Sequence, residues 1–197
     1  NIMPLGANKA AIMGVAGVST GDVVLLSSQT ATSDTVITFD SDITSTYGEY
    51  IFRFYNMNPE TDNAEFGFQA NVVGASGYNE TMTTSFFQNY QDEGGTVHTL
   101  HYVTANDQAE GTSYDTLAGN VGSDADQSCS GVLHVFNPSS TTYVTHFIGH
   151  LQTSDGANNC VDQFPAGYFN ATGAIDDIQF KFSAGDFDGK IKMWGVK

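Results

Sequence analysis

The C-terminal segment, Ile175 to Lys197, constrains the fold more than any other stretch of this chain. Apolar and polar residues alternate from Ile178 to Phe182, which is the pattern of a strand with one buried face. Residues 183–189 are rich in Gly, Asp and Ser and predict a turn. A second alternating run, Lys190 to Val196, follows that turn. We therefore expect the chain to close on a β-hairpin whose two strands share one buried face.

The same alternation recurs along the chain and predicts an all-β protein. Its strongest single strand is Glu49 to Met57, where apolar and aromatic side chains predict a strand covered on both faces. Segments 131–137 and 142–151 predict a second hairpin. No helical period occurs, and 14 Phe, 9 Tyr and 21 Gly suit pleated strands joined by tight turns. We expect about ten strands in a single-domain antiparallel β-sandwich of jelly-roll type.

We expect the chain to consist of an extended N-terminal arm, residues 1–22, and a β-sandwich domain, residues 23–197. Residues 1–22 show no sustained period, so we expect the arm to find its partner outside the hairpins. Asn106 to Ser128 is predicted to be a long polar loop, and a recognition surface is first expected there. The side chains predicted to face the core include Val36, Phe39, Met82, Phe86 and Phe87.

The charge balance excludes two classes of partner. Acidic residues number 22 against six basic ones, which gives a formal net charge of −16. Such a surface repels nucleic-acid phosphates and anionic lipids, so we expect neither nucleic acid nor membrane as a partner. No apolar run reaches the roughly 18 residues of a membrane-spanning helix. The first residues also lack the pattern of a cleaved signal peptide.

Histidines are the first candidates for metal ligands. His146 and His150 share a strand face but are separated by roughly 13 Å, too far for one ion. Counting back from the predicted turn places His134 opposite Thr145 or His146, which would form a cross-strand histidine pair. Such a pair lacks a third ligand, so ring packing is the preferred interpretation.

Two acidic pairs are weak candidates for a calcium site. Asp124 and Asp126 form one pair, and Asp186 and Asp188 form the other. Loop carboxylates are oxygen ligands of the kind that Ca²⁺ prefers, but neither pair has the spacing of an EF-hand. Asp186 and Asp188 are interpreted first as turn residues.

Cys129 and Cys160 are the two cysteines of the chain. Each precedes a predicted strand, and if those strands are neighbours a disulfide would close a loop of about 30 residues. A disulfide and two free thiols are both open alternatives. A zinc site is disfavoured because no further ligands lie near in sequence.

Catalytic sequence motifs are absent. The chain contains no nucleophile elbow, P-loop or dinucleotide-binding fingerprint. Its 22 carboxylates offer no reason to choose a catalytic pair. We therefore expect a protein that is not an enzyme and that needs no cofactor, with calcium as the open alternative.

Two stretches, NPSSTTYV at 137–144 and IQFKFSAGDFDGKIKMWGV at 178–196, carry a family resemblance. Together with EYIFRFYNMNP and GYNETMTTSFF, they resemble small virion proteins of marine tailed bacteriophages, over about Val23 to Lys197. The resemblance implies a fibre, tail-tip or head-decoration subunit with a β-sandwich fold, which is often trimeric. It supplies no catalytic motif.

From this resemblance we expect an external capsid-decoration or fibre subunit whose partners are its own copies and other virion proteins. One alternative is a carbohydrate-binding adhesin that recognises a host surface glycan, with Tyr78, Tyr90 and Tyr114 as stacking platforms. A second alternative is a glycan depolymerase with two carboxylates roughly 5 to 9.5 Å apart. Trp194 is expected to lie between the layers, with a subunit contact as the alternative.

Overall fold

The computed structural model describes residues 22–197, which form twelve β-strands and no helix. The strands are β1 (Val23–Asp34), β2 (Ile37–Phe39), β3 (Glu49–Pro59), β4 (Ala64–Val72), β5 (Met82–Asp92), β6 (His98–Tyr102), β7 (Asp115–Val121), β8 (Cys129–Phe136), β9 (His146–Ser154), β10 (Asn159–Phe169), β11 (Ile175–Phe182) and β12 (Phe187–Val196). No helix in this part of the chain could therefore cross a membrane. The predicted arm, residues 1–22, lies outside the described residues except for Asp22.

The strands form two antiparallel sheets, which confirms the all-β prediction. The large sheet has eight strands in the order β1-β12-β3-β8-β9-β10-β5-β6, and the small sheet has four in the order β2-β11-β4-β7. Buried apolar side chains from both sheets join in one cluster, as in a sandwich of two layers. The strand count exceeds the predicted ten because β5 begins within residues 75–90, where the pattern predicted no clear strand, and β7 lies in the predicted polar loop, whereas β6 confirms a strand predicted by the alternation over 97–104.

Aromatic rings fill the space between the sheets. Phe180 on β11 lies 5.2 Å from Phe52 and 5.3 Å from Phe54 on β3, measured between ring centroids. Phe66 and Phe68 on β4 flank the same ring. All five side chains are at most 2% exposed. Each such ring contributes about 1.5–3 kcal/mol by burial, so this cluster holds the two layers together.

The closing strands do not pair with each other, and the predicted C-terminal hairpin is wrong. β11 pairs with β2 and β4 in the small sheet, whereas β12 pairs with β1 and β3 in the large sheet. The connection between them, with Gly185 at φ 72°, carries the chain from one layer to the other. Their buried rows face each other across the core. Alternation revealed which face of each strand is buried, but it could not reveal the partner strand.

Four further predictions are corrected by the structure. Within the segment predicted as a polar loop, Asn106 to Ser128, β7 is a largely buried strand. Phe87 is 43% exposed because its neighbour Phe86 is buried, and successive side chains of a strand point to opposite faces. Val36 is 36% exposed because it lies in the connection before β2, whereas Ile37, the first residue of that strand, faces the core. β3 is covered on its inner face only.

Candidate functional site

The outer face of the large sheet, which points away from the small sheet, carries two unusual groups of side chains. One group, the aromatic half, lies on β9, β10, β5 and β6. It comprises Phe87, Leu100, Tyr102, Ile148, His150 and Phe164. The members on the edge strand β6 are strongly exposed, with Leu100 at 72% and Tyr102 at 52%. Apolar surface of this extent on one sheet face marks a candidate interaction site.

Three rings of the aromatic half form a stack across three neighbouring strands. The ring of Phe164 lies 4.5 Å from that of His150 and 4.7 Å from that of Phe87, at interplanar angles of 13° and 11°. The His150 Nε2 atom lies 2.6 Å from Asp162 Oδ1. Strand register sets this stack, because Phe164 pairs directly with Phe87 and Phe87 pairs with Tyr102. The rings therefore present a fixed apolar surface.

The second group, the cationic half, lies on β3 and β12. It comprises Arg53, Tyr55, Lys190, Lys192 and Trp194. Arg53, Lys190 and Lys192 are three of the six basic residues in the chain. Their side chains point outward because Ile191 and Met193, which alternate with them on β12, are fully buried. A local positive charge thus lies on a protein whose net charge is −16.

Irregular backbone shapes a groove within the cationic half. The β3–β12 register shifts between Asp188 and Lys190, and Asn56 on β3 adopts a positive φ of 49°. Gly189 has φ 148°, and a Cβ atom there would lie 2.7 Å from Met57 Sδ, so the strands approach closely only with glycine. The resulting open groove has a volume of about 470 Å³. It is lined by Thr30, Tyr55, Asn56, Gly189, Lys190 and Lys192.

Trp194 lies on the outer face of the large sheet, so its predicted position between the layers is wrong. The guanidinium carbon of Arg53 lies 5.5 Å from the centre of its ring. Trp194 pairs with Leu25 on β1 and Ile51 on β3. Both neighbours share its outer face, because strand partners point to the same side of a sheet. The alternative of a subunit contact stays a prediction.

The tyrosines predicted as sugar platforms do not form one surface. Tyr114 donates a hydrogen bond to Gln179 Oε1, and the Lys181 ammonium lies 4.1 Å from its ring centre. Burial, with a contribution from nearby Tyr78, raises the pKa of Tyr114 to about 12. The pKa of Tyr78 is also raised, first by burial and then by Asp177. Since Lys181 occupies one face of Tyr114, that face is closed to a sugar ring.

Tyr90, the third predicted platform, is on β5 of the large sheet. Its ring packs edge-on against His101 at 6.0 Å. Tyr90 pairs with Val161, which is buried, so it lies on the inner side of the large sheet. The structure therefore brings together only Tyr78 and Tyr114 of the predicted three.

The candidate metal ligands are not gathered into a site. Within residues 22–197 no group of three or more His, Cys, Asp or Glu side chains is arranged to hold an ion. His134 pairs with Ile148 rather than with Thr145 or His146, and its Nδ1 atom lies 2.5 Å from Glu49 Oε1. The predicted register is wrong because residues 137–145 connect β8 to β9, whereas the predicted turn comprised only residues 137–142.

The acidic candidates lie on surface connections. Asp124 and Asp126 are exposed between β7 and β8. Asp188 is exposed at the start of β12, and its Oδ1 atom accepts a hydrogen bond of 2.8 Å from the backbone N–H of Ser33. Asp186 is half-buried, and its backbone carbonyl accepts a bond from Glu60 N–H. These contacts agree with a structural role for Asp186 and Asp188 in the connection between the sheets.

Both cysteines are free thiols, so the structure contains no disulfide. Cys129 on β8 is opposite Thr153 of β9, and Cys160 on β10 is opposite Ser154 of the same strand. Adjacent residues of β9 point to opposite faces, so Cys129 is buried while Cys160 is exposed. Burial raises the pKa of the Cys129 thiol. The strands bring the residues near each other but aim the sulfurs apart.

Asp115 on β7 is a buried acid that the sequence did not single out. Burial raises its pKa to about 7, although Gln108 Nε2 donates a hydrogen bond of 3.4 Å to its Oδ1 atom. Its Oδ2 atom has no hydrogen-bond partner. At 1% exposure Asp115 is closed to a polymeric substrate, so it does not supply an acid for a depolymerase.

The cationic half was also missed by sequence reasoning. The alternation of Lys190, Ile191 and Lys192 already predicted that both lysines point outward. Their proximity to Arg53 depends on the pairing of β12 with β3, which no local pattern reveals.

Comparisons with known proteins assign no family to this chain. It matches no protein-family model, and a search of curated proteins finds no match.

Proposed function

We propose that this protein is a non-enzymatic structural subunit on the exterior of a tailed-phage virion, of the capsid-decoration or fibre type. It assembles with copies of itself and with other virion proteins. The observation that carries the proposal is the aromatic half, where stacked and exposed apolar side chains cover one end of a sheet face. The phage setting rests on the resemblance of the NPSSTTYV and C-terminal stretches.

Strand order supports a jelly-roll assignment. The strands β1-β12-β3-β8 form one four-stranded set and β2-β11-β4-β7 form the other, so the first strand lies beside the last and the second beside the last but one. The remaining strands are two insertions, β5–β6 after β4 and β9–β10 after β8, which extend the first set. Jelly rolls are found in viral capsid and lectin domains, in agreement with the proposed role.

The aromatic half lies entirely on the two insertions. The inner faces of the inserted strands join the common core through Met82, Phe147 and Phe169, so the outer rings of β5, β6, β9 and β10 are not needed for packing within the chain. The inserted strands thus add a surface rather than a second core. We assign this surface to contact with a second copy of the chain, where its apolar area is removed from water.

Charge also favours a contact between copies at this surface. Each chain carries a net charge of −16, so copies repel one another unless the contact area contains few free acids. In the aromatic half, Asp162 is held by His150, and the Tyr102 hydroxyl donates a hydrogen bond to Asp107. Neighbouring copies therefore meet without bringing unpaired carboxylates together. We propose a closed trimer, built by a head-to-tail contact of the kind that closes rings.

Light scattering during size exclusion tests the assembly. We expect a mass about three times the 21.1 kDa of one chain at micromolar concentration. Antibodies against the chain should also detect it in purified virions and label their exterior in electron micrographs. A strictly monomeric protein that never cofractionates with particles would contradict the proposal.

A further inference from the structure

We infer that the groove of the cationic half binds a sugar that carries a carboxylate or a sulfate group. The first observation is that its cations lack acidic partners in a chain with 22 acids. The ion pairs within residues 22–197 are His134–Glu49 and His150–Asp162, and none of Arg53, Lys190 and Lys192 joins one. Residues 1–21 contain no Asp or Glu that could supply a partner.

The arrangement of these cations is unfavourable for the isolated sheet. Arg53 and Lys192 are direct cross-strand partners, and like charges in that position destabilise a sheet. Lys190 lies on the same face, two positions from Lys192. An external anion in the groove, which Lys190 and Lys192 line beside Arg53, would reduce this repulsion. Arrangements that lower the stability of a fold, such as these neighbouring like charges, are expected at binding sites rather than elsewhere in the fold.

Aromatic rings hold the cations in place. The Lys192 ammonium lies 5.6 Å from the ring centre of Tyr55, and the Arg53 guanidinium lies 5.5 Å from that of Trp194. Such contacts orient a cation without neutralising its charge. Asp188, the acid nearest to Lys190 in sequence, is bonded to the Ser33 N–H. The positive charges are therefore positioned and still available to a ligand.

The groove has the other features that a sugar requires. Its volume of about 470 Å³ lies within the usual range of small-ligand sites, about 300–1,000 Å³. Tyr55 is 40% exposed, and the ring face that Lys192 leaves open offers an apolar surface to the C–H groups of a sugar ring. Asn56 and Thr30, which also line the groove, can bond to hydroxyl groups. The lysines would bind the acidic group.

A nucleic acid is a poor fit to this groove. Its phosphates would meet the field of a chain with net charge −16, while the cationic half supplies only three positive side chains. An acidic peptide could bind the lysines but would make little use of a groove lined by a tyrosine ring, an amide and a hydroxyl. The single sugar acid uses all of these groups.

Titration of the 197-residue chain with defined oligosaccharides tests the inference. The probes are a galacturonic acid trisaccharide, a sulfated galactose trisaccharide and the uncharged methyl ester of the first. Binding is followed by the fluorescence of Trp194, the single tryptophan, and by calorimetry. We expect at least one charged probe to bind about tenfold or more tightly than the ester, and the stronger of the two identifies the acidic group.

Matched variants locate the binding. Lys190→Gln combined with Lys192→Gln should weaken binding about tenfold or more, and Tyr55→Ser about threefold or more. The control, Lys181→Gln with Lys197→Gln, removes the same charge elsewhere and should change affinity less than about twofold. Thermal unfolding verifies that each variant is folded.

Four results would overturn the inference. The first is that neither charged probe binds, and the second is that the ester binds as tightly as the charged probes. The third is that the control variant loses as much affinity as the Lys190 and Lys192 variant. The fourth is that inorganic sulfate or a poly-glutamate peptide binds as tightly as the charged probes. Equal binding of sulfate would indicate a simple anion site, and equal binding of the peptide would indicate an acidic protein partner. Binding by a strictly monomeric protein would support the sugar site while contradicting the assembly proposal.

Discussion

The two halves of one sheet face differ in where they lie and in what they offer. The aromatic half lies on β9, β10, β5 and β6, at one end of the large sheet, and three of its rings are stacked. The cationic half lies on β12 and β3, the second and third strands from the β1 edge, and its charges join no ion pair within residues 22–197. A contact at the first gains free energy from apolar area, whereas a contact at the second gains it from charge. The two proposals thus assign two different partners to one continuous sheet.

The largest expected effect is on the free energy of unfolding and comes from Asp115, which belongs to neither half. A variant of Asp115 therefore tests whether assembly and sugar binding are independent of folding stability. Its folded-state pKa of about 7 lies above its ordinary value of 3.8. The folded state therefore holds a proton that the unfolded chain loses, and stability falls as pH rises from about 4 to above 7. Asp115→Asn should remove this loss of stability, which is on the order of a few kcal/mol between pH 5 and pH 8. Urea unfolding of the variant and of the parent protein at both pH values measures it.

Asp126→Asn is the control, because Asp126 is exposed and lies in a surface connection. The free energy of unfolding of this variant should change between pH 5 and pH 8 as it does in the parent protein. Both variants should assemble and bind sugar at pH 7 as the parent does. An unchanged pH dependence in Asp115→Asn would show that the acid is already compensated in the folded state.

The next effect concerns the aromatic half alone. Phe87→Lys places an ammonium beside the stacked Phe164 ring and should weaken assembly by about tenfold or more, or about 1.4 kcal/mol. Because Phe87 is 43% exposed, the free energy of unfolding should change by less than about 1 kcal/mol. Light scattering over a dilution series measures the change. Tyr143→Lys makes a similar change at a side chain that is 72% exposed outside both halves, and equal dissociation there would contradict the assignment.

Salt should affect sugar binding and assembly differently, and the effect should be smaller than that of the substitutions above. Between about 0.05 M and about 0.5 M NaCl, screening should weaken sugar binding at the cationic half about threefold to tenfold. Assembly through the aromatic half should be unchanged or slightly stronger, because apolar contacts are not screened. The two measurements are made on the same protein sample. Parallel salt dependence would show that both halves rely on charge.

The buried faces of this fold could be predicted from the sequence, but the strand partners could not. Alternation correctly placed Phe180 and Phe182 of β11 and Ile191 and Met193 of β12 toward the core. It also suggested a hairpin, because strands facing each other across a core show the same pattern as strands side by side. Partner choice depends on contacts distant in sequence, such as Ile191 with Phe54.

In the candidate site, too, the direction of the side chains could be predicted from the sequence, but their neighbours could not. The outward direction of Lys190 and Lys192 follows from their alternation with buried residues, but their position beside Arg53 requires the β3–β12 pairing. β7 was missed because Asp115, Thr116 and Asn120 give it a polar composition. Gln163 accepts a bond from Gly119 N–H and donates one to Gly119 O, a compensation that no local pattern reveals.

The smallest effect tests the boundary between the halves. Arg53→Lys keeps the charge of the cationic half but weakens the contact with Trp194, at a cost of about 0.5 kcal/mol in unfolding. We expect sugar affinity to change less than about twofold and assembly not at all, whereas Arg53→Gln should lower affinity about threefold. Calorimetry and light scattering measure both. If Arg53→Lys weakens assembly, Trp194 belongs to the subunit contact, and the boundary lies between the groove and the Trp194 ring.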